Sequence, residues 1–538
     1  MLISPEKIPW LKEQLASASK GIAIDTETNI TKRYHERYCI GISFNVDGGE
    51  SFYLPVGHRD SWLGDTQNCS VDPMLLVHVR APVLFFNAKF DIHVLKRAGL
   101  TIPEDFNYYD TMLMCHLIDE NELQFSLDRM AMKYVGTGKW TELARIFKDI
   151  KWEDIPGAMM KDYAEVDALK TYLLYEAIKP MFADYEEVWN TDKRFLLQLQ
   201  QIEERGIRVD LKEAEIQTNL CLSRMSQIRT ELGFDPGRQK ELHSKLFSPP
   251  PTGYGLKILS RTPTGKAQVN TKFLESTNHP VCGLLLENSK IKKLTTSYYN
   301  SYKELCEGYG RLHPSFKQHG TVTGRLSCAD PNMQQIPRDS PIKKLFLPEP
   351  GKQLWEIDFR NIEMRLAAVY SKEPALLEIF RTEGDAHQLT ADLLGISRQF
   401  AKVINFLIIY GGGKEALSYQ LGIAPNKAAR ILDDYNNAYP RLYGARIAAS
   451  NACISHGGWI RMWSAFNSII QGGAFEIVKR AMLNLYAFDI RNQVHDSVWL
   501  MINEDNAEYE VKEAEHLMSS WTEETFNLPF TVESKRLA

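Results

Sequence analysis

Asp358-Phe359-Arg360-Asn361-Ile362-Glu363-Met364-Arg365 closes an apolar stretch containing Leu354, Trp355 and Ile357. The pattern predicts a buried strand that delivers Asp358 at its end. A second aspartate lies in Gln493-Val494-His495-Asp496-Ser497, and Val494, Val498, Leu500 and Ile502 alternate as half of a hairpin with Asp496 at its tip. Two carboxylates held on strands make a rigid seat for hard divalent cations.

Between these aspartates, Arg398, Lys402, Phe406 and Tyr410 recur every fourth residue, and Gly411 follows. On a helix each step of four advances roughly 400°, so the four side chains form a slowly drifting stripe about 18 Å long. Arg398 and Lys402 offer charge and donors to phosphate oxygens, Phe406 offers a flat apolar surface, and the glycines after Tyr410 stop the helix.

The N-terminal third repeats the carboxylate theme. Ile22-Ala23-Ile24 leads into Asp25-Thr26-Glu27-Thr28, which places Asp25 and Glu27 on one face of a strand. Val83-Leu84-Phe85-Phe86 runs into Asn87-Ala88-Lys89-Phe90-Asp91, and Tyr163 and Asp167 share a helix face four residues apart. Asp25, Glu27, Asp91 and Asp167, held together, repel unless a metal compensates them. Hard oxygen donors favour magnesium over zinc. Asp110, in Asp110-Thr111-Met112-Leu113-Met114-Cys115-His116, reads as a structural helix cap, and His116 as a core residue.

Together these segments resemble the family A DNA polymerases, whose three polymerase motifs look like Asp358 to Arg365, Arg398 to Gly411, and Gln493 to Ser497. Thr321 to Pro337 and Asn467-Ser468-Ile469-Ile470-Gln471-Gly472 extend the likeness. The N-terminal set resembles a DEDD-type 3′-to-5′ exonuclease of the tyrosine subtype. The implied fold is an α/β ribonuclease H-like exonuclease domain followed by an α+β right-hand polymerase domain, with an antiparallel palm sheet and helical fingers and thumb. The expected boundaries are 1–185 for the exonuclease and 186–538 for the polymerase, with the thumb at about 200–305, the palm at about 306–375 and 456–538, and the fingers at about 376–455.

The resemblance implies site roles residue by residue. Asp358, Asp496 and the Phe359 carbonyl would hold two Mg²⁺ ions for nucleotidyl transfer, and Asp25, Glu27, Asp91 and Asp167 two more for hydrolysis, with Tyr163 orienting the water and Mn²⁺ able to substitute. His387, Arg398 and Lys402 would take the triphosphate, Phe406 would stack near the nucleotide and Tyr410 near the template base, and Glu363 would exclude a ribose 2′ hydroxyl. Arg325, Gln334, Asn467, Gln471 and His495 match positions that follow the primer-template duplex, where the minor groove reports shape without sequence. Partners implied are primer-template DNA and deoxynucleoside triphosphates. A monomer is expected, with no membrane attachment and no 5′ nuclease domain ahead of Asp25, a compact form that suits a phage or prophage replicase, with a bacterial repair enzyme as the alternative.

Several positions depart from the family pattern. Ser497 stands where many relatives carry a carboxylate, Leu407 replaces a glycine, Arg360-Asn361 replaces a Ser-Gln pair, Ser289 replaces an arginine, and the segment from His387 to Arg398 is short. A single-subunit RNA polymerase is disfavoured by Glu363, Tyr410 and the exonuclease motifs. A noncatalytic DNA-binding remnant is disfavoured because binding alone needs none of the carboxylates retained at both sites.

At 538 residues and 44% hydrophobic content, the chain exceeds what one core serves. No long apolar run occurs, and Glu6, Lys7, Lys12 and Glu13 break any secretory pattern, so a soluble cytoplasmic protein is expected. Its eight cysteines show no metal-ligand spacing, which predicts reduced thiols. A net charge of -5 is unpromising for a phosphate-binding protein, unless basic residues cluster locally, as Lys290, Lys292 and Lys293 and the Lys343-Lys344 pair suggest.

Overall fold

In the computed structural model, strands β1 (Ile22–Thr28), β2 (Cys39–Val46), β3 (Ser51–Pro55), β4 (Val83–Phe85) and β5 (Tyr108–Asp110) form one sheet in the order β3-β2-β1-β4-β5. The residues described are all but 30, 32, 62–70, 104–105, 123, 138–149, 338–340 and 456–464. β1 to β3 pair antiparallel, whereas β4 runs parallel to β1 and β5 parallel to β4. β1 and β4 lie where the apolar runs Ile22-Ala23-Ile24 and Val83-Leu84-Phe85-Phe86 place them. β5 escapes the pattern because it has three residues and ends on Asp110, so only its pairing with β4 makes it a strand. Helices Ala88–Arg97 and Gly157–Ile178 contact this sheet, and Ile22, Ile24, Phe44, Leu84, Phe85 and Leu174 are buried in its core. Each such side chain contributes about 1.5–3 kcal/mol by leaving water.

A second sheet carries the other pair of aspartates. Strands β11 (Lys352–Phe359), β12 (Asp489–Val494), β13 (Ser497–Asn503) and β14 (Val532–Arg536) are antiparallel, in the order β12-β13-β11-β14. Two expectations need correction. Trp355 is half-buried rather than a core residue, and the alternation of Val498, Leu500 and Ile502 conceals a strand whose intervening Trp499 and Met501 are buried as well. Helix Ala507–Phe526 contacts β13, and a strand covered on both faces loses the polar alternation of a half-solvated one. Helix Ala465–Asn484 packs on helix Ile362–Ser371. Gly473 permits this, since a Cβ there would lie 2.7 Å from Leu366 Cδ2. Strands β8 (Ser315–Lys317) and β9 (Ser327–Ala329) form a separate antiparallel pair.

These elements belong to one compact unit, Met1–Gly206, His313–Gln335 and Glu349–Leu537. The second unit comprises Ile207–Leu312 and Ile336–Pro348. In it, strands β6 (Ile207–Val209), β7 (Arg311–Leu312) and β10 (Phe346–Leu347) pair in the order β10-β6-β7. Helices Leu211–Leu232, Gln239–Phe247 and Pro280–Leu294 bury Ile228, Leu232, Leu242, Leu246 and Leu285 around Phe234 and Phe273. The 22-residue helix Leu211–Leu232 starts where the Asp210 carboxylate accepts from the Glu213 N–H and stops at Gly233, at φ 69°. Both basic clusters noted in the sequence lie in this unit.

Among the described residues no helix is long and apolar enough to cross a membrane. Cys39, Cys115, Cys221, Cys282, Cys306 and Cys328 are free thiols. Cys69 and the side chain of Cys453 lie outside what is described, as does the start of the second expected palm segment at 456.

Candidate active sites

The first site grows from β1. Asp25 pairs opposite Ser43 and Glu27 opposite Gly41, so both carboxylates project from one face, and the register shifts just after Glu27. Gly41 is required there, because a Cβ would meet the Tyr53 hydroxyl oxygen at 1.8 Å. Asp91 arrives on helix Ala88–Arg97, and its Oδ1 accepts from the Thr26 N–H at 3.1 Å and the Thr26 hydroxyl at 2.7 Å. Asp110 positions this helix. Its carboxylate accepts from the N–H groups of Asn87, Ala88, Met112 and Leu113, while burial pushes it up to about 6.

Helix Gly157–Ile178 brings Tyr163 and Asp167 into the same cluster. Burial, then the charges of Glu27, Asp91 and Asp167, hold Asp25 well above the usual carboxylate range. Burial followed by Asp167 and Asp91 pushes Glu27 up to about 8. Asp91 is raised chiefly by burial. Burial and then Asp167 raise the Tyr163 phenol, which bonds Asp167. Among the described residues no three such groups converge at metal-ligand distance; Asp91 and Asp167 hold protein partners instead. Four mutually repelling carboxylates in a buried setting are nevertheless the donor set a pair of hard divalent cations would relieve.

Lys170 is a member of this site that no motif in the sequence marks. Its buried ammonium lies 2.7 Å from Asp128 and 3.1 Å from Asp167, and supplies a positive charge within the cluster. Its place three residues after Asp167 on an amphipathic helix was the available signal. His116 is buried as expected, edge-on to Phe125 at 5.4 Å, and burial lowers its pKa.

The second site joins three elements. Asp358 lies opposite Ser497 at the end of β11, and the Phe359 N–H donates to the Asp496 carbonyl at 3.3 Å. A two-residue tip, with His495 at φ 53°, carries Asp496. Arg325 bridges outward from it, 3.9 Å from Asp496 and 2.6 Å from Glu363, a buried residue in the first turn of helix Ile362–Ser371. Glu363 in turn lies beside Tyr410, whose phenol is raised by burial and then by that carboxylate. The chain Asp496, Arg325, Glu363, Tyr410 thus ties the sheet to the Arg398 stripe.

That stripe forms on helix Arg398–Ile409, capped by Ser397, with Tyr410 closing it and Gly411 left-handed at φ 74°. Ala401, Ile404, Asn405 and Ile408 face inward, leaving Arg398, Lys402 and Tyr410 exposed and Phe406 half-buried. The rings of Phe406 and Tyr410 stack at 6.1 Å. Arg398 is held 2.6 Å from Asp385. Leu407 packs over Gly412, where a Cβ would lie 2.5 Å from Leu407 Cγ, so the bulk added at one position is accommodated by its absence at the other.

His387 is 2% exposed, 5.6 Å from the Phe406 ring. The Asn405 amide N–H donates to its Nδ1 at 2.9 Å, which assigns the ring proton to Nε2. Nε2 is buried without a protein partner. A donor left so beside Arg398 and Lys402 fits a phosphate oxygen. Arg325, Gln334 and His495 line a cavity of about 210 Å³ with Gln493, which accepts from Gln334 at 2.6 Å. Asn467 and Gln471 stand apart from that cavity on helix Ala465–Asn484.

Residues 211–458 match the sequence profile of DNA polymerase family A, and residues 9–183 that of a 3′-5′ exonuclease. DNA polymerase I of Pseudomonas aeruginosa is 29% identical, over 98% of this chain and 64% of its own length. The DNA polymerase of Mycobacterium phage L5 is 22% identical over 96% of this chain and 92% of its own. The chain spans between 45% and 64% of the first four bacterial polymerases matched. The POL domain of Pol1 from M. smegmatis, solved in complex with DNA primer-template and dNTP, shares the fold at a TM-score of 0.81 and 20% identity, covering 99% of this chain and 98% of that one.

Proposed function

From a chain that belongs to DNA polymerase family A and carries a 3′-5′ exonuclease domain, we propose a template-directed DNA polymerase that extends a primer 3′ end and proofreads it. The observation that carries this reading is the run from Asp496 through Arg325 and Glu363 to Tyr410, which joins a carboxylate pair to a phosphate-binding and base-stacking stripe. Asp358, Asp496 and the Phe359 carbonyl would hold Mg²⁺, which when bound lowers the pKa of the primer hydroxyl and balances charge on the triphosphate.

The chain's own groups do the rest. Arg398, Lys402 and the His387 Nε2–H bind phosphate oxygens and stabilise the charge that develops on leaving pyrophosphate. Phe406 supports the incoming nucleotide, Tyr410 stacks near the template base, and Glu363, buried and clamped by Arg325, closes the space a 2′ hydroxyl would need. Arg325, Gln334, Asn467, Gln471 and His495 follow the duplex. At the other site Asp25, Glu27, Asp91 and Asp167 would hold two Mg²⁺, with the Tyr163 hydroxyl orienting water. The polymerase divides into thumb, palm and fingers at the boundaries given by the resemblance. The exonuclease ends near residue 185.

The test is a paired primer-extension and primer-degradation assay. Asp358→Asn is expected to lose extension by at least about 10³-fold while digestion persists, and Asp25→Ala to do the reverse. Loss of both activities in either folded variant contradicts separate sites.

A further inference from the structure

The geometry points to Glu356 as a positioning residue of the Asp358–Asp496 site, a third carboxylate that acts through those aspartates and the cations they hold. The inference rests on the polymerase reading above. Glu356 and Asp358 are two residues apart on β11, so their side chains leave the same face about 7 Å apart. Their partners on β13 are Trp499 and Ser497, which share that face.

Both partners turn toward Glu356. The Trp499 indole N–H donates to its Oε1 at 3.2 Å, and the Ser497 hydroxyl lies 3.2 Å from the same oxygen, sharing its proton with the Val494 carbonyl at 3.0 Å. Ser497 is 3% exposed and Trp499 fully buried, so these donors are rigid. They hold a flexible glutamate, two residues from Asp358 on the same strand, on the face that carries that aspartate. Ser497 itself contributes no charge. On the other side of β11, β14 sets Glu533 opposite Asp358 and Lys535 opposite Glu356, and Glu533 is paired with Arg360 at 3.1 Å; β13 supplies the donors that aim Glu356. Nothing in this arrangement needs Glu356 to touch the nucleotide; its effect is on how strongly the site retains cations.

Glu356→Gln separates that role from a structural one, because the amide oxygen still accepts from Ser497 and Trp499 while the charge is gone. In an Asp25→Ala background, the half-saturating Mg²⁺ for primer extension is measured. In parallel, Mn²⁺ binding to the protein with primer-template and a nonhydrolysable nucleotide is read by electron paramagnetic resonance. Both constants are expected to weaken about tenfold, the low end for partners that act behind the direct ligands, with an unchanged thermal midpoint. A variant that matches its parent in both readouts overturns the assignment, as does one that loses stability without weakening cation binding. Should Glu356→Gln fail to fold, Ser497→Ala removes one aiming donor and is expected to raise half-saturating Mg²⁺ about threefold; no change overturns the assignment. If the parent adds no nucleotide, the polymerase reading fails, and the Mn²⁺ titration still decides the role of Glu356.

Discussion

Lys170 and His387 show what single side chains contribute that motif spacing does not announce. Lys170 offsets part of the repulsion among Asp25, Glu27, Asp91 and Asp167. Lys170→Met leaves Asp167 and Asp128 without that cation, and a loss of about 1–3 kcal/mol is expected, below the range for fully buried pairs because Asp128 is partly exposed. Mg²⁺ should restore part of the lost thermal midpoint by supplying the same sign of charge, while primer extension stays at the parent level. A midpoint insensitive to Lys170→Met would show that the lysine is not the counter-charge. For His387, the orphaned Nε2–H predicts that His387→Phe raises the KM for nucleotide about tenfold, the loss of one hydrogen bond to a charged group; steady-state kinetics at saturating primer-template measure it. The carboxylates themselves were legible in the sequence because their residue types and spacing are the chemistry. Lys170 and Glu356 were not, since a lone lysine or glutamate acquires meaning only from what it touches.

Elements explain why the sites have their shape. Gly41 and Gly473 each mark a close approach, of Tyr53 to β2 and of Leu366 to helix Ala465–Asn484. Gly41→Ala is expected to destabilise by about 1–3 kcal/mol, the usual cost of forcing atoms into a packed interior, because the Tyr53 hydroxyl that would have to move is bonded to His58 at 2.7 Å. Its chemical-denaturation midpoint should fall, and primer degradation should suffer more than extension, since Gly41 pairs with Glu27. The helical stripe from Arg398 was readable from its period of four, and so was the Asp496 hairpin. β5 was not, because three residues carry no period, whereas the double-sided burial of β13 is signalled by the unbroken run Val498-Trp499-Leu500-Met501-Ile502, which attention to its alternate members obscures.

At the scale of the molecule, charge is divided between the two units. The second unit holds 19 Lys and Arg against 11 Asp and Glu, a net of +8, and the first holds 44 against 57, a net of -13. The overall -5 therefore conceals a basic unit and an acidic one. DNA affinity should fall steeply with salt, and replacing Lys290, Lys292 and Lys293 with alanine should reduce the slope of log K against log salt by about 2–3, roughly 0.9 per lost phosphate contact. Fluorescence anisotropy across a salt series measures this, and an unchanged slope would place the DNA elsewhere. Within the first unit, burial and then the neighbouring His116, Lys317 and Lys89 push His319 down to about 4. The unfolded chain binds a proton there near 6.5, so the native state binds fewer protons between those values. Its contribution to stability is full above about 6.5 and is lost as pH falls toward 4, by about 1–3 kcal/mol. Urea midpoints of His319→Gln should accordingly fall less than those of the parent between pH 7 and 4.5.

Sequence alone determined the chemistry of this protein: which carboxylates, cations and aromatic rings exist, and which share a strand face or helix stripe, because side-chain type and backbone period are local properties. Tertiary structure decided what those groups face. Strand pairing set Asp358 against Ser497 and turned Glu356 toward it, and helix packing left His387 a buried donor without a partner. Burial, register and close approach arise between segments distant along the chain, and no local pattern encodes them.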